Sequence, residues 1–205
     1  MYEVYPLFSY PVYSSTIGCT LSKNELDFIE NLPKKQEEMY NKFHQNSDNN
    51  YVLKLEELKN IKNFIQQNID TYKTQVLKAR SDIEIYITQS WVNYSVPGNF
   101  HHRHDHPNSY LSGIFYVNTA NTHTTFEQVN RVFNLELAPY LEHNIFNSGS
   151  WNLKQKNNNV IIFPSTLLHK VEENNSTEKR ITIAFNTYVR GKIGSEDELY
   201  GLELK

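Results

Sequence analysis

Ile83-Glu84-Ile85-Tyr86-Ile87-Thr88-Gln89-Ser90-Trp91 sets apolar side chains at every second position through Ile87, and again at Trp91. Successive side chains of an extended chain point to opposite faces, so this alternation predicts a half-buried strand. The stretch before it has a different period. Leu55, Leu58, Ile61, Phe64, Ile65, Ile69, Tyr72 and Val76 recur at steps of three and four, with lysines and glutamates on the other face. That spacing predicts an amphipathic helix packed against a sheet. The change of period after Arg80 marks where the sheet begins. Tyr110 to Asn118, Val160 to Phe163 and Ile181 to Val189 supply further strands. Many short strands without intervening helices predict an antiparallel barrel or jelly roll, mainly β with some α.

Upstream, Ser22-Lys23-Asn24-Glu25 has the capping-box pattern and predicts a short helix ending near Leu32, before Pro33. Residues 40–50 read as a polar loop, and Pro97-Gly98 as a turn. Residues 119–157 are a long, weakly patterned connection that should contain a hairpin; connections of this length are often binding loops. No linker or repeat divides the chain. The expected organisation is one domain over 1–205, with an N-terminal strand and helices in 1–80, a jelly-roll core in 81–190 and a tail in 191–205.

Composition excludes several classes. A net charge of -3 gives no polyanion-binding signature, so nucleic acid is not indicated as a partner. No apolar run approaches the roughly 20 residues of a membrane span. The single cysteine, Cys19, excludes an intramolecular disulfide and fits a reducing compartment. The opening Met1-Tyr2-Glu3-Val4-Tyr5-Pro6 lacks the basic start and apolar stretch of a signal peptide, which together with Cys19 leads to the expectation of a cytoplasmic location. Oligomeric state is open, a homo-oligomer included.

Chemistry is concentrated in the histidines. Of eight in the chain, four fall in Phe100-His101-His102-Arg103-His104-Asp105-His106-Pro107, and another, His169, follows Phe163-Pro164-Ser165-Thr166-Leu167-Leu168. Imidazole is the commonest protein ligand for transition metals. On a strand His102, His104 and His106 would share one face and Asp105 would point the other way. Two ligands two residues apart, joined by one from a distant strand, make a three-point site that leaves coordination positions open. The cluster alone also fits a solvated loop, an anion-binding patch or a zinc site. Arg180, opening Arg180-Ile181-Thr182-Ile183-Ala184-Phe185-Asn186, narrows the choice. If His169 ends one strand and Arg180 starts the next, a hairpin brings the guanidinium beside the metal. Its planar fork binds a carboxylate bidentately, which a keto-acid co-substrate on a metal requires.

The segments His104-Asp105-His106-Pro107-Asn108-Ser109-Tyr110-Leu111-Ser112-Gly113-Ile114-Phe115-Tyr116-Val117 and Ile162-Phe163-Pro164-Ser165, then His169 and Arg180 to Asn186, resemble the 2-oxoglutarate/Fe(II) oxygenases common in phages and marine bacteria. Leu7-Phe8-Ser9-Tyr10-Pro11-Val12-Tyr13 and Trp91-Val92-Asn93 resemble that family's opening and pre-motif segments. The resemblance implies a double-stranded β-helix core with N-terminal helices packed outside. It implies Fe(II) and 2-oxoglutarate as cofactors, O₂ and a substrate of unknown class as partners, and a bacterial or phage-infected host cytoplasm. Carried onto this chain, His104 is the first metal ligand, His169 the distal one and Arg180 the 2-oxoglutarate anchor. His106 stands where the wider superfamily has Asp or Glu. Strand alternation favours His106 as the third ligand; a local bulge turning Asp105 inward would restore a carboxylate.

Asn93 is a candidate for the C1 carboxylate of 2-oxoglutarate or the substrate. Thr182, on the strand face of Arg180, and Tyr116, on the neighbouring strand, are candidates for the distal carboxylate. His101 and His102 read as supporting or substrate-side groups, and His44, His123 and His143 receive no role. Trp91, Phe115, Phe163 and Phe185 read as core. The expected activity is hydroxylation coupled to decarboxylation of 2-oxoglutarate to succinate. The alternatives are a metal- and 2-oxoglutarate-binding module without turnover, and a cupin-like metalloenzyme that does not use 2-oxoglutarate.

Overall fold

Two antiparallel sheets pack face to face in the computed structural model, which describes residues 1–35, 44–129, 135 and 137–205. The strands are β1 (Tyr13–Ser14), β2 (Gln45–Asn46), β3 (Glu84–Ser95), β4 (His101–His104), β5 (Leu111–Asn118), β6 (Thr124–Glu127), β7 (Ser150–Leu153), β8 (Val160–Pro164), β9 (His169–Val171), β10 (Arg180–Ile193) and β11 (Leu202–Leu204). The larger sheet runs β1-β8-β5-β10-β3-β2, with β11 attached to β10; the smaller runs β4-β9-β6-β7. This is the expected jelly roll. Among the described residues no helix is long and apolar enough to cross a membrane.

Helix α1 (Lys23–Asn31) starts where the sequence predicts it. The Ser22 hydroxyl accepts from the Glu25 backbone N–H at 3.2 Å, and the Glu25 carboxylate accepts from the Ser22 N–H at 2.8 Å. Helix α2 (Lys59–Thr71) follows two short 3₁₀ turns and buries Ile61, Ile65 and Ile69 completely. Burial of each such side chain contributes about 1.5–3 kcal/mol. The helical stripe ends early. Residues Tyr72–Val76 form a π turn, in which the Leu77 N–H reaches back five residues to the Tyr72 carbonyl. The wider turn changes the phase, so Tyr72 stays buried while Val76, expected on the apolar face, is exposed.

One face of the larger sheet packs on α2 through Val92, Phe115, Ile162, Ile183 and Phe185. The other face turns Ile114, Tyr116, Ile161 and Phe163 toward Phe126 of the smaller sheet. Bulges decide which residues face which way. Ile87 pairs with Thr187, but Ser90, not Gln89, pairs with Phe185, so β3 carries one extra residue between them. Before that bulge the odd-numbered Ile85 and Ile87 pack toward α2; after it the even-numbered Val92 and Tyr94 do. Trp91, read as core from its odd position, therefore lies on the opposite face.

Two further expectations change, and one is met. The 40–50 loop contains β2, which pairs Gln45 with Tyr94 and Asn46 with Asn93; its first residues, 40–43, lie outside the described residues. The 119–157 connection does contain a hairpin, β6–β7, which forms the edge of the smaller sheet beyond β9 and reaches one residue past the Phe126–His169 pair. His169 starts β9 instead of ending a strand. Because β9 and β10 belong to different sheets, no hairpin joins His169 to Arg180. The two meet because the sheets face each other.

Candidate functional site

A single cavity between the sheets collects most of the residues singled out by sequence. Its walls include Trp91, Asn93, His104, His106, His169, Arg180 and Thr182, together with His44 and His101. The smaller sheet supplies the histidine side. His104 is the last residue of β4 and pairs with His169 at the start of β9; His106 lies just beyond the strand end, fixed by its N–H donating to the Ser165 carbonyl at 3.0 Å. A ligand nitrogen from each of His104, His106 and His169 lies within 4.8 Å of the other two. Asp105 is exposed and outside this group.

The backbone selects the tautomer of two of these rings. His104 Nδ1 lies 2.8 Å from the His102 carbonyl, and His169 Nδ1 lies 3.0 Å from the Leu167 carbonyl. A carbonyl only accepts, so each Nδ1 carries the hydrogen and each Nε2 keeps its lone pair. That is the state a metal-binding imidazole needs, with its outer nitrogen anchored. Protonation is also opposed. Burial, and then the neighbouring histidines, lowers His106 to about 4 and His169 to about 3; burial lowers His104 as well.

The larger sheet supplies the opposite wall. Arg180, Thr182 and Ala184 of β10 pair with Ser95, Asn93 and Trp91 of β3, and all six line the cavity. Arg180 is only 2% exposed, yet among the described residues no carboxylate acts on it. Burial lowers its pKa and the Tyr116 hydroxyl opposes that shift, but an arginine stays charged throughout the physiological range. Its Nε and Nη2 have no hydrogen-bond partner among the described residues. These two nitrogens share one edge of the guanidinium plane, the edge that grips a carboxylate bidentately. A buried charge with a free fork is costly unless an anion meets it.

The supporting residues divide. Asn93 Oδ1 accepts from Trp91 Nε1 at 3.1 Å and from Asn46 Nδ2 at 3.3 Å, while its own amide donates to Thr182 Oγ1 at 3.5 Å. Asn93 is thus held mainly by protein partners. Tyr116 is off the cavity wall: fully buried, it braces Arg180 from behind and shares a 2.8 Å hydrogen bond with Thr124. Trp91 forms wall, not core, with its ring 6.0 Å from that of His106. Phe163 closes the floor 4.8 Å from His169, whereas Phe115 and Phe185 sit in the core toward α2.

A second bulge exchanges two histidines. His101 pairs with Val171 and His104 with His169, so three steps on β4 match two on β9. His101, not His102, therefore shares the inward face with His104, and the two rings stack at 4.2 Å and 27°. His102 is exposed and contributes its carbonyl to His104. His44, assigned no role from sequence, packs 4.2 Å from His101 and lines the cavity. The only signal for it was the alternation of His44 with Asn46 in a stretch that reads as loop. His123 and His143 are not on the cavity wall.

Residues 89–186 match the family model described as "Putative 2OG-Fe(II) oxygenase". No curated protein matches the chain in sequence. Solved structures with the same fold include HygX from Streptomyces hygroscopicus with nickel and 2-oxoglutarate bound, at 9% identity, covering 87% of this chain and 82% of that one with a TM-score of 0.54. A Pseudomonas putida prolyl-4-hydroxylase has 12% identity, coverages of 89% and 95% and a TM-score of 0.52. A 2OG-Fe(II) oxygenase family oxidoreductase from Burkholderia pseudomallei has 12% identity, coverages of 79% and 75% and a TM-score of 0.51. At these identities the likeness is one of fold.

Proposed function

We propose that this chain, whose residues 89–186 match a family model of 2OG-Fe(II) oxygenases, is such an oxygenase, which hydroxylates a C–H bond of its substrate and converts 2-oxoglutarate and O₂ to succinate and CO₂. In this reaction one oxygen atom enters the substrate and the other enters succinate. The observation that carries this reading is the pairing of two features in one cavity: three imidazoles that converge and are held neutral, and a buried guanidinium whose carboxylate-binding edge has no partner among the described residues.

The donor set fits the metal. His104, His106 and His169 would hold Fe(II), with the His102 and Leu167 carbonyls orienting two of the rings. When bound, Fe(II) supplies the site for 2-oxoglutarate chelation and O₂ activation. Arg180 would take the distal carboxylate, and Thr182, on the same strand face, stands beside it. Phe163, Ile114 and Val171 give the cavity apolar walls, which strengthen a charge pair inside it by excluding water. Trp91 and Asn93 buttress the wall opposite the histidines.

Purified protein supplied with Fe(II), ascorbate and 2-oxoglutarate should release succinate slowly without substrate, and His169→Ala should abolish the release. Metal-independent release, or release unchanged in His169→Ala, would reject the reading. An all-imidazole donor set favours a second reading, because three neutral ligands leave more positive charge on iron than two histidines and a carboxylate. The chain would then bind metal and 2-oxoglutarate without turnover, shown by tight binding of both and no succinate with any substrate panel.

A further inference from the structure

Among the described residues only three buried side-chain nitrogens lack a hydrogen-bond partner: Arg180 Nε, Arg180 Nη2 and His44 Nδ1. Both residues line the same cavity. A buried polar nitrogen left without a partner costs free energy, so three around one cavity need a common explanation.

The sheet register shows why His44 belongs with Arg180. In β2, Asn46 pairs with Asn93 and Gln45 with Tyr94. Extending that register by one residue sets His44 opposite Ser95, which pairs with Arg180 on its other side. Asn46 turns its side chain to the cavity-lining Asn93, and with a period of two His44 faces the same way. Residues 44, 95 and 180 thus form one row across three strands, and residues 46, 93 and 182 form the next. His101 packs against the His44 ring and fixes its plane. Among the described residues no acidic side chain lines the cavity to occupy the three nitrogens.

We propose that His44 binds the co-substrate, donating its Nδ1–H to the same anionic group that Arg180 grips, the distal carboxylate of a 2-oxo dicarboxylate. This rests on the reading of Arg180 as the 2-oxoglutarate anchor. A carboxylate has lone pairs for all three donors. His44 then makes the site selective for a second carboxylate, since a 2-oxo acid lacking that group has nothing to offer it.

The test is calorimetric titration of the nickel-loaded protein with 2-oxoglutarate and with 2-oxobutyrate, which has the same chelating end but no distal carboxylate. His44→Phe keeps the ring packed on His101 and removes the donor. It should raise the 2-oxoglutarate Kd by roughly 10- to 100-fold, the loss of one charge-assisted hydrogen bond. Its 2-oxobutyrate Kd should match wild type, which also shows that the variant is folded and metal-loaded. His44→Asn, which retains an N–H near the Nδ1 position, should recover part of the affinity for 2-oxoglutarate alone. Unchanged 2-oxoglutarate affinity in His44→Phe, or equal losses for both ligands, would overturn the proposal. Wild-type protein that binds 2-oxoglutarate no better than 2-oxobutyrate would instead overturn the anchor role of Arg180, and this inference with it.

Discussion

Replacing Arg180 by methionine should make the ligand-free protein more stable and the ligand-bound protein less so. Arg180 is 2% exposed, and among the described residues no carboxylate neutralises its charge and Nε and Nη2 have no partner. Each unsatisfied buried donor costs about 1–3 kcal/mol, so removing two relieves about 2–6. Against that stands the loss of the Tyr116 contact, about 1.5–3 kcal/mol for a hydrogen bond to a charged group. Tyr116 keeps its hydrogen bond to Thr124, so its hydroxyl is not orphaned. Taking the middle of each range, about 4 against about 2, the balance is a net gain of about 2 kcal/mol, in the range seen when buried charges give way to apolar side chains of similar volume. For a chain of this size each kcal/mol moves Tm by about 2–4 °C. Differential scanning calorimetry of metal-loaded protein, with and without 2-oxoglutarate, reads both effects. Arg180→Met should melt several degrees above wild type without ligand and should lose the upward shift that 2-oxoglutarate gives wild type. A variant that melts lower than wild type and still shows the full 2-oxoglutarate shift would refute the reasoning, because Arg180 would then be a satisfied structural residue.

His104→Ala and His169→Ala should each lower metal affinity at least 100-fold in an equilibrium competition with a chromogenic chelator, whereas Asp105→Asn, at an exposed position, should leave it within about two-fold. pH should act on the metal-free protein in one direction. His106 and His169 are held at about 4 and about 3 in the fold, while the unfolded chain protonates near the ordinary 6.5. Between those values the unfolded state binds more protons, so stability rises with pH: it is fully present above 6.5 and lost as pH falls toward 4. The urea midpoint of metal-free protein should fall across that window, and a flat midpoint would mean that these rings are solvated.

The fold was legible because its largest elements have clean periods. The three- and four-residue steps of α2 and the apolar runs of β5, β8 and β10 each bury one face, and that pattern survives into the structure. What period could not supply was parity. An extra residue in β3 between Ile87 and Ser90 turned Trp91 from core to cavity wall. An uneven step between β4 and β9 brought His101 inward in place of His102. Bulges leave no mark on composition, and each flips every side chain beyond it. The π turn at Tyr72–Val76 did the same to Val76 in a helix. The convergence of His104, His106, His169 and Arg180 followed from the sequence motif, although the path did not: facing sheets, not a hairpin, bring His169 and Arg180 together. His44 was illegible for a different reason. Its strand is two residues long, and its position depends on pairing with β3, a contact 47 residues away in sequence between Asn46 and Asn93.

The central claim is that one cavity holds the metal on three imidazoles and 2-oxoglutarate on Arg180. The most direct measurement is a crystal structure of the protein grown with nickel and 2-oxoglutarate. The account predicts a single ion bonded to His104, His106 and His169, with the distal carboxylate of 2-oxoglutarate on the Nε and Nη2 edge of Arg180. An ion held by Asp105 in place of His106, or a 2-oxoglutarate molecule that leaves the Arg180 edge empty, would contradict it.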